Sequence, residues 1–147
     1  MILLPSLFAF ALRWNAAHPD VAGVPRQVAT AAEAAARQYD VPAALLLAIA
    51  QVESQFNPRA VSPAGARGIM QIMPSTARFM HVADVFSIRD SMLGAARYLG
   101  GLIRDGMRPA DAIFTYTTGH PGTPWQVAHS GYVQAVFHDY RALRSVS

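Results

Sequence analysis

Apolar residues recur at helical spacing through most of this chain, and the breaks in that pattern are concentrated in one stretch. Proline suits a first helical turn because its missing N–H would be unpaired there anyway, so Pro25 opens a helix predicted over 25–39. Val28, Ala32, Ala35 and Tyr39 lie on one face of it. Asp40 is expected to cap a second helix with Pro42 in its first turn. That helix runs through Leu45-Leu46-Leu47-Ala48-Ile49-Ala50-Gln51-Val52 and ends at or near Glu53. Over 57–74, Pro58, Pro63, Gly65, Gly68 and Pro74 are too many breakers for a helix and predict a small β-hairpin or an irregular loop. Ser75 is placed to cap a short helix to about Met80. Ile88, Met92, Ala95, Leu99 and Ile103 predict a longer helix over 88–105 with Gly106 as its stop. Inside it, Gly100 and Gly101 each cost roughly 1 kcal/mol relative to alanine, which implies a close backbone approach or a bend. A short helix over 109–116 and a final one over 131–143, with Val133, Val136, Phe137 and Tyr140 as its buried stripe, complete the pattern. The expected fold class is mainly α, with the hairpin or loop as its one irregular part.

The first residues do not follow this pattern. Met1 to Leu12 are apolar, but Pro5 interrupts them, no basic residue precedes them, and the run is too short to span a bilayer. Residues 1–24 are therefore expected to form an apolar arm and linker, with Pro19 and Gly23 as breakers. The arm would dock on the domain or on another chain and would not act as a cleaved leader. Residues 25–147 are expected to form a single domain, since 147 residues suffice for one compact core.

Composition narrows the function classes. The net charge of +3 and pI near 9.8 suit an anionic polymer such as a cell wall, but the arginines are spread along the chain without a basic run, which disfavours nucleic acid. Charged residues make up 14% of the chain, against about 25% in an average soluble domain, which fits either an alanine-rich helical protein or a surface that meets a partner. With no cysteine, disulfides and thiolate metal sites are ruled out. The five histidines lack the one-turn spacing of a helical zinc pair, so no metal or cofactor is assigned.

Glu53 carries the chemistry. A carboxyl group at the end of an apolar helix is partly desolvated and faces the negative end of the helix dipole, and both effects favour its neutral form. A carboxylic acid still protonated near neutral pH is a general acid. The chain has two glutamates, and the other, Glu33, is expected to pair with Arg37 one turn later. No Asp or Glu lies between Ser54 and Ala83, so no local carboxylate is available as the second member of a glycosidase pair.

Other residues near Glu53 have two readings each. On spacing alone, Ser62 and Gln71 satisfy backbone groups in a crowded loop, Met70 and Met73 fill core, and Tyr116 is a core aromatic with its hydroxyl at the surface. Phe56, Phe79 and Trp125 stand between core and sugar stacking, with Trp125, expected in a loop after Pro124, the better stacking candidate. Their joint occurrence in one string changes the balance. The string contains Glu53-Ser54, Phe56-Asn57-Pro58, Ala60, Ser62-Pro63, Gly65-Ala66, Gly68, Met70-Gln71-Ile72-Met73-Pro74 and Thr76-Ala77. It resembles the signature of soluble lytic transglycosylases, a lysozyme-like family related to goose-type lysozyme. Gly94-Ala95-Ala96-Arg97-Tyr98-Leu99 is similar to the helix that packs behind the active site in that family, and the likeness extends over about 25–140.

The resemblance implies an α+β lysozyme-like domain that cleaves peptidoglycan between N-acetylmuramic acid and N-acetylglucosamine. Glu53 would be the single acid/base, and Ser62, Gln71, Met73 and Tyr116 would line the sugar cleft. The C6 hydroxyl of the muramyl sugar would act as nucleophile, which makes one carboxyl group sufficient. The third family motif, Tyr-Asn-Ala-Gly-Pro-Gly, reads here Tyr116-Thr117-Thr118-Gly119-His120-Pro121-Gly122, with threonines for Asn and Ala and one extra residue, His120. Three readings follow: a lytic transglycosylase, a lysozyme that uses water, and a lysozyme-like glycan-binding component of an assembly. The arm and the low charge suggest a wall-cutting domain carried by a phage virion or a secretion apparatus, acting at the periplasm or cell wall.

Overall fold

The computed structural model describes residues 23–144, so the arm expected over 1–24 lies, up to residue 22, outside the described residues. Seven helices follow in order: α1 (Arg26–Tyr39), α2 (Ala43–Ser54), α3 (Pro74–Ala77), α4 (Ile88–Arg104), α5 (Pro109–Thr118), α6 (Pro124–Ala128) and α7 (Gly131–Arg144). α1 packs on α4 and α2, α7 packs on the other side of α2, and α5 bridges α4 and α7. α2 is consequently buried on nearly every face, from Leu45 and Leu46 through Ile49, Ala50 and Val52 to Ser54, as its almost unbroken apolar sequence requires.

The link between α1 and α2 differs from the expectation. Asp40 closes α1 instead of opening α2: it sits in the left-handed region (φ 54°, ψ 52°) and its N–H bonds to the Ala36 carbonyl. Aspartate tolerates that conformation, whereas an N-cap needs extended backbone, which Pro42 supplies (φ −63°, ψ 130°). Glu33 and Arg37 both point to solvent, and no ion pair joins them; among the described residues the pairs are Arg108–Asp111 and His138–Asp139.

Residues 55–73 form an irregular loop, not a hairpin. Two isolated bridges, Val61 to Arg67 and Arg67 to Ile72, are the extent of its pairing. It nevertheless contributes Ala66, Ile69, Met70 and Ile72 to the interior. Gly68 fixes its path: φ is +76°, and a Cβ there would lie 1.8 Å from the Val85 carbonyl oxygen. α3 starts at Pro74 with Met73 as N-cap, two residues before the expected capping Ser75, because proline fills the first turn.

α4 is capped by Ser87, whose Oγ accepts from the Asp90 N–H. Its glycine pair is asymmetric. A Cβ on Gly100 would lie 2.6 Å from the Tyr39 carbonyl oxygen, so α1 and α4 approach closely there, whereas a Cβ on Gly101 would meet nothing within 4 Å. α5 runs two residues beyond Tyr116 to a left-handed Gly119. Trp125, expected in a loop, lies on α6, which opens with a capping box between Thr123 and Gln126. The buried face of α7 also differs: Tyr132, Val133, Ala135, Val136, Asp139 and Leu143 are buried, while Phe137 and Tyr140 are half-buried and meet edge to face at 6.4 Å.

Candidate active site

Glu53 occupies the last turn of α2 and is only 8% exposed. The chain leaves the helix through two successive left-handed residues, Gln55 and Phe56. Their N–H groups take up the final carbonyls of α2: Gln55 bonds to Ala50 and Gln51, and Phe56 to Ala50. Ser54, the next residue after Glu53, joins the helix end to the loop. Its Oγ lies 2.8 Å from the Ile69 carbonyl oxygen and 3.1 Å from that of Ala50, and its single proton serves one of them at a time.

α7 supplies the direct partner of the acid. Tyr132 Oη donates to Glu53 Oε1 at 2.6 Å, the length of a strong O–H···O bond. Burial pushes the Glu53 carboxyl up from 4.5 to about 7, and the Tyr132 bond, which favours the charged form, holds it back from rising further. Both nearby tyrosine hydroxyls, Tyr116 and Tyr132, are raised well above their ordinary value, first by burial and then by the negative charge of Glu53. They are therefore neutral hydrogen-bond donors at any working pH. Tyr116 Oη donates to the Met70 carbonyl at 2.9 Å and so ties α5 to the loop.

Two cavities meet at Gln71. One, about 490 Å³, holds Glu53 together with Asn57, Ala60, Ser62 and Gln71. The other, about 530 Å³, is lined by Gln71, Met73, Phe79, Tyr98, Tyr116 and His120 among others. The structure thus brings Glu53, Ser62 and Gln71 to one cavity, and Gln71, Met73 and Tyr116 to its neighbour. Ser62 Oγ accepts from the Ala66 N–H at 3.0 Å and keeps its own proton for a further acceptor. Gln71, at φ +49°, donates both amide protons to the loop, to the Ala60 carbonyl at 3.2 Å and the Gly68 carbonyl at 3.0 Å. That is the backbone-satisfying role expected of it from spacing, and it leaves its side-chain oxygen as the group for a ligand.

The departure after Tyr116 folds into a closed loop. Thr118 Oγ1 lies 2.8 Å from the carbonyl oxygens of both Phe114 and His120, donating to one at a time, and the His120 ring packs edge-on against Phe114 at 6.4 Å. Trp125 is 68% exposed but lines neither cavity; it stacks on His129 at 4.5 Å.

Tyr132 is the site residue that the sequence reading missed. One signal for it exists: Tyr132, Val136, Asp139 and Leu143 recur at helical spacing, and all four are buried. That stripe is turned relative to the one expected, and it carries the tyrosine to α2.

Comparison with known proteins is consistent with this geometry. The model of the family described as "Transglycosylase SLT domain" matches residues 30–130. A protein named "Membrane-bound lytic murein transglycosylase F" from Thiobacillus denitrificans is 48% identical over 63 residues, 43% of this chain and 13% of that protein. A protein named "Transglycosylase" from Enterobacteria phage PRD1 is 34% identical over 91 residues, 61% of this chain and 33% of that protein. The "Soluble lytic murein transglycosylase" of Salmonella typhimurium is 48% identical over 54 residues, 37% of this chain and 8% of that protein. The chain therefore spans a third or less of the length of each of these relatives, and among its described residues no helix is long and apolar enough to cross a membrane. With its family model matched across more than half its length and its helical domain closed around Glu53, the chain belongs to the Transglycosylase SLT domain family.

Proposed function

We propose that this chain is a peptidoglycan lytic transglycosylase domain in which Glu53 acts first as acid and then as base. The observation that carries this reading is a buried carboxyl, protonated up to a pH of about 7, in a cavity that no second carboxylate among the described residues lines and that continues past Gln71. Protonated Glu53 gives its proton to the bridging oxygen of the β-1,4 bond between N-acetylmuramic acid and N-acetylglucosamine, and the C1–O bond breaks through an oxocarbenium-like state. The Glu53 carboxylate then accepts the proton of the muramyl C6 hydroxyl while its oxygen closes on C1. The product is a 1,6-anhydro ring, no water is consumed, and Glu53 is again protonated. Tyr132 stabilises the carboxylate between the two transfers through its 2.6 Å bond.

Ser62, Gln71, Met73 and Tyr116 hold the strand. Intramolecular attack is fast only when the reacting atoms are kept close and aligned, so these side chains contribute chiefly through position. The relatives named as murein transglycosylases support the substrate, and the phage relative supports a wall-penetrating setting, a virion more than a secretion apparatus. In that setting the domain acts on the cell wall, on the periplasmic side.

The test is mass analysis of products from purified peptidoglycan, with the wild-type chain and Glu53→Gln side by side. Anhydromuropeptides from the wild type, and a fall of at least ~1000-fold in the variant, are expected when an essential acid is removed. Products one water heavier would replace this reading with a hydrolytic lysozyme. Binding without cleavage would replace it with a glycan-binding module.

A further inference from the structure

Phe79 is 68% exposed, and among the described residues its ring has an aromatic neighbour on one side only. It meets Tyr98 edge to face at 5.9 Å and 78°, Tyr98 leans on Tyr116 at 6.2 Å, and Tyr116 is anchored to the Met70 carbonyl. Leaving a phenyl ring in water forfeits the favourable free energy of burying it. Here the exposed face also lies in a concavity of about 530 Å³, within the size range of small-ligand sites. The walls are mixed: Met73 and Tyr98 are apolar or aromatic, whereas Gln71, Thr118 and His120 are polar.

We propose that Phe79 is the stacking platform for an N-acetylhexosamine residue of the glycan strand on the far side of Gln71 from Glu53, with His120 as the polar contact across the cavity. This rests on the function proposed above. A β-linked pyranose has a face of C–H bonds, weakly positive and suited to the negative face of an aromatic ring, and a rim of hydroxyl and acetamido groups. A purely apolar occupant would leave the Gln71 side-chain oxygen and His120 Nε2 without a partner. Continuity supplies the direction, because Gln71 lines both cavities and a polymer whose bond reaches Glu53 carries its neighbouring sugars into the second one. His120 is suited to the rim. Its Nδ1 lies 3.1 Å from the Pro121 carbonyl oxygen, so in the neutral ring the proton sits on Nδ1 and Nε2 is an acceptor for a sugar hydroxyl. His120 is also the extra residue in the altered third motif, so this wall belongs to the part of the chain that departs from the usual pattern.

The experiment uses the full chain carrying Glu53→Gln, which binds without cutting, titrated calorimetrically with a peptide-free tetrasaccharide of alternating N-acetylglucosamine and N-acetylmuramic acid. Adding Phe79→Ala is expected to weaken binding about tenfold, and Phe79→Tyr to restore it to within about threefold. His120→Ala is expected to cost about threefold. Melting temperatures should be nearly unchanged, since the Phe79 ring face is exposed. Equal affinity of the Phe79→Ala form and its parent overturns the proposal, as does failure of the parent to bind the tetrasaccharide at millimolar concentration. If the wild-type chain releases no anhydro products while binding still depends on Phe79, the proposed reaction falls and the sugar subsite stands.

Discussion

The helical frame and the loop over 55–73 are built on different physics. In α1, α2, α4 and α7 the positions are set by apolar burial, with Leu46, Ile49, Met92, Leu99 and Val136 fully enclosed. In the loop, burial of Ile69 and Met70 is joined by individual hydrogen bonds and by unusual backbone. Five of its residues, Gln55, Phe56, Gly65, Gly68 and Gln71, adopt positive φ, and Ser54, Ser62 and Gln71 each spend a side chain on a backbone group. Apolar packing is tolerant of small changes in volume, whereas a loop held by single contacts is not. The cavity beside Glu53 is lined almost wholly by this loop, and the acid sits at the junction of loop and frame.

Substitutions of glycine and of the acid should break or sharpen this contrast. The largest effect on stability is expected from Gly68→Ala, at about 3 kcal/mol. It forces a Cβ against the Val85 carbonyl in a left-handed conformation, and chemical denaturation measures the loss. A loss below 1 kcal/mol would mean the loop can shift as freely as an ordinary surface turn.

Next in size is the pH dependence contributed by Glu53. Its folded pKa, about 7, is above the ordinary 4.5, so folding favours the protonated form. The stability it contributes is complete below pH 4.5 and is lost as pH rises through about 7, a swing of about 3 kcal/mol. Glu53→Gln has no such loss, so its stability relative to the wild type should climb between pH 5 and pH 9. A difference that stays flat with pH would show that the carboxyl is not buried in its charged form.

Tyr132→Phe ranks third. Removing the donor 2.6 Å from Oε1 should lower kcat/KM about tenfold and move the alkaline limb of the pH profile upward, because the bond that favours the carboxylate is gone. An unchanged profile would reduce Tyr132 to packing.

The smallest pair of effects lies in the frame itself. Gly100→Ala should destabilise by about 1–2 kcal/mol through its clash with the Tyr39 carbonyl, while Gly101→Ala should stabilise by about 0.5–1 kcal/mol through helix propensity alone. Thermal melts of the two variants distinguish them by sign.

The same division governs what could be read from the sequence. Helical periodicity placed α1, α2, α4 and α7 to within a few residues, because burial of one face repeats along the chain. It also put Glu53 at the end of α2, where its desolvation follows from the apolar run before it. Periodicity could not reveal a bond between residues 79 positions apart, and so Tyr132 was missed: its stripe on α7 is turned from the one expected. Asp40 was assigned to the wrong helix because aspartate suits either end of so short a connection. The choice between Trp125 and Phe79 as a stacking ring is hidden in the sequence for a related reason. Exposure is equal at 68%, and only the tertiary arrangement shows which ring faces a cavity.

The bond from Ser54 Oγ to the Ile69 carbonyl has a consequence in hydrogen-exchange terms. It ties the residue next to the acid to the middle of the loop, where the Arg67 and Ile72 amides bond to each other's carbonyls at 3.0 and 2.9 Å and the Gly68 amide bonds to Ala60 at 2.8 Å. Hydrogen exchange of those three amides is expected to follow the opening of α2, where Leu46 and Ile49 are fully buried, and exchange as fast as that of an exposed turn would show that the loop frays locally. If exchange does follow α2, the cavity wall beside Glu53 opens together with the helix beneath it.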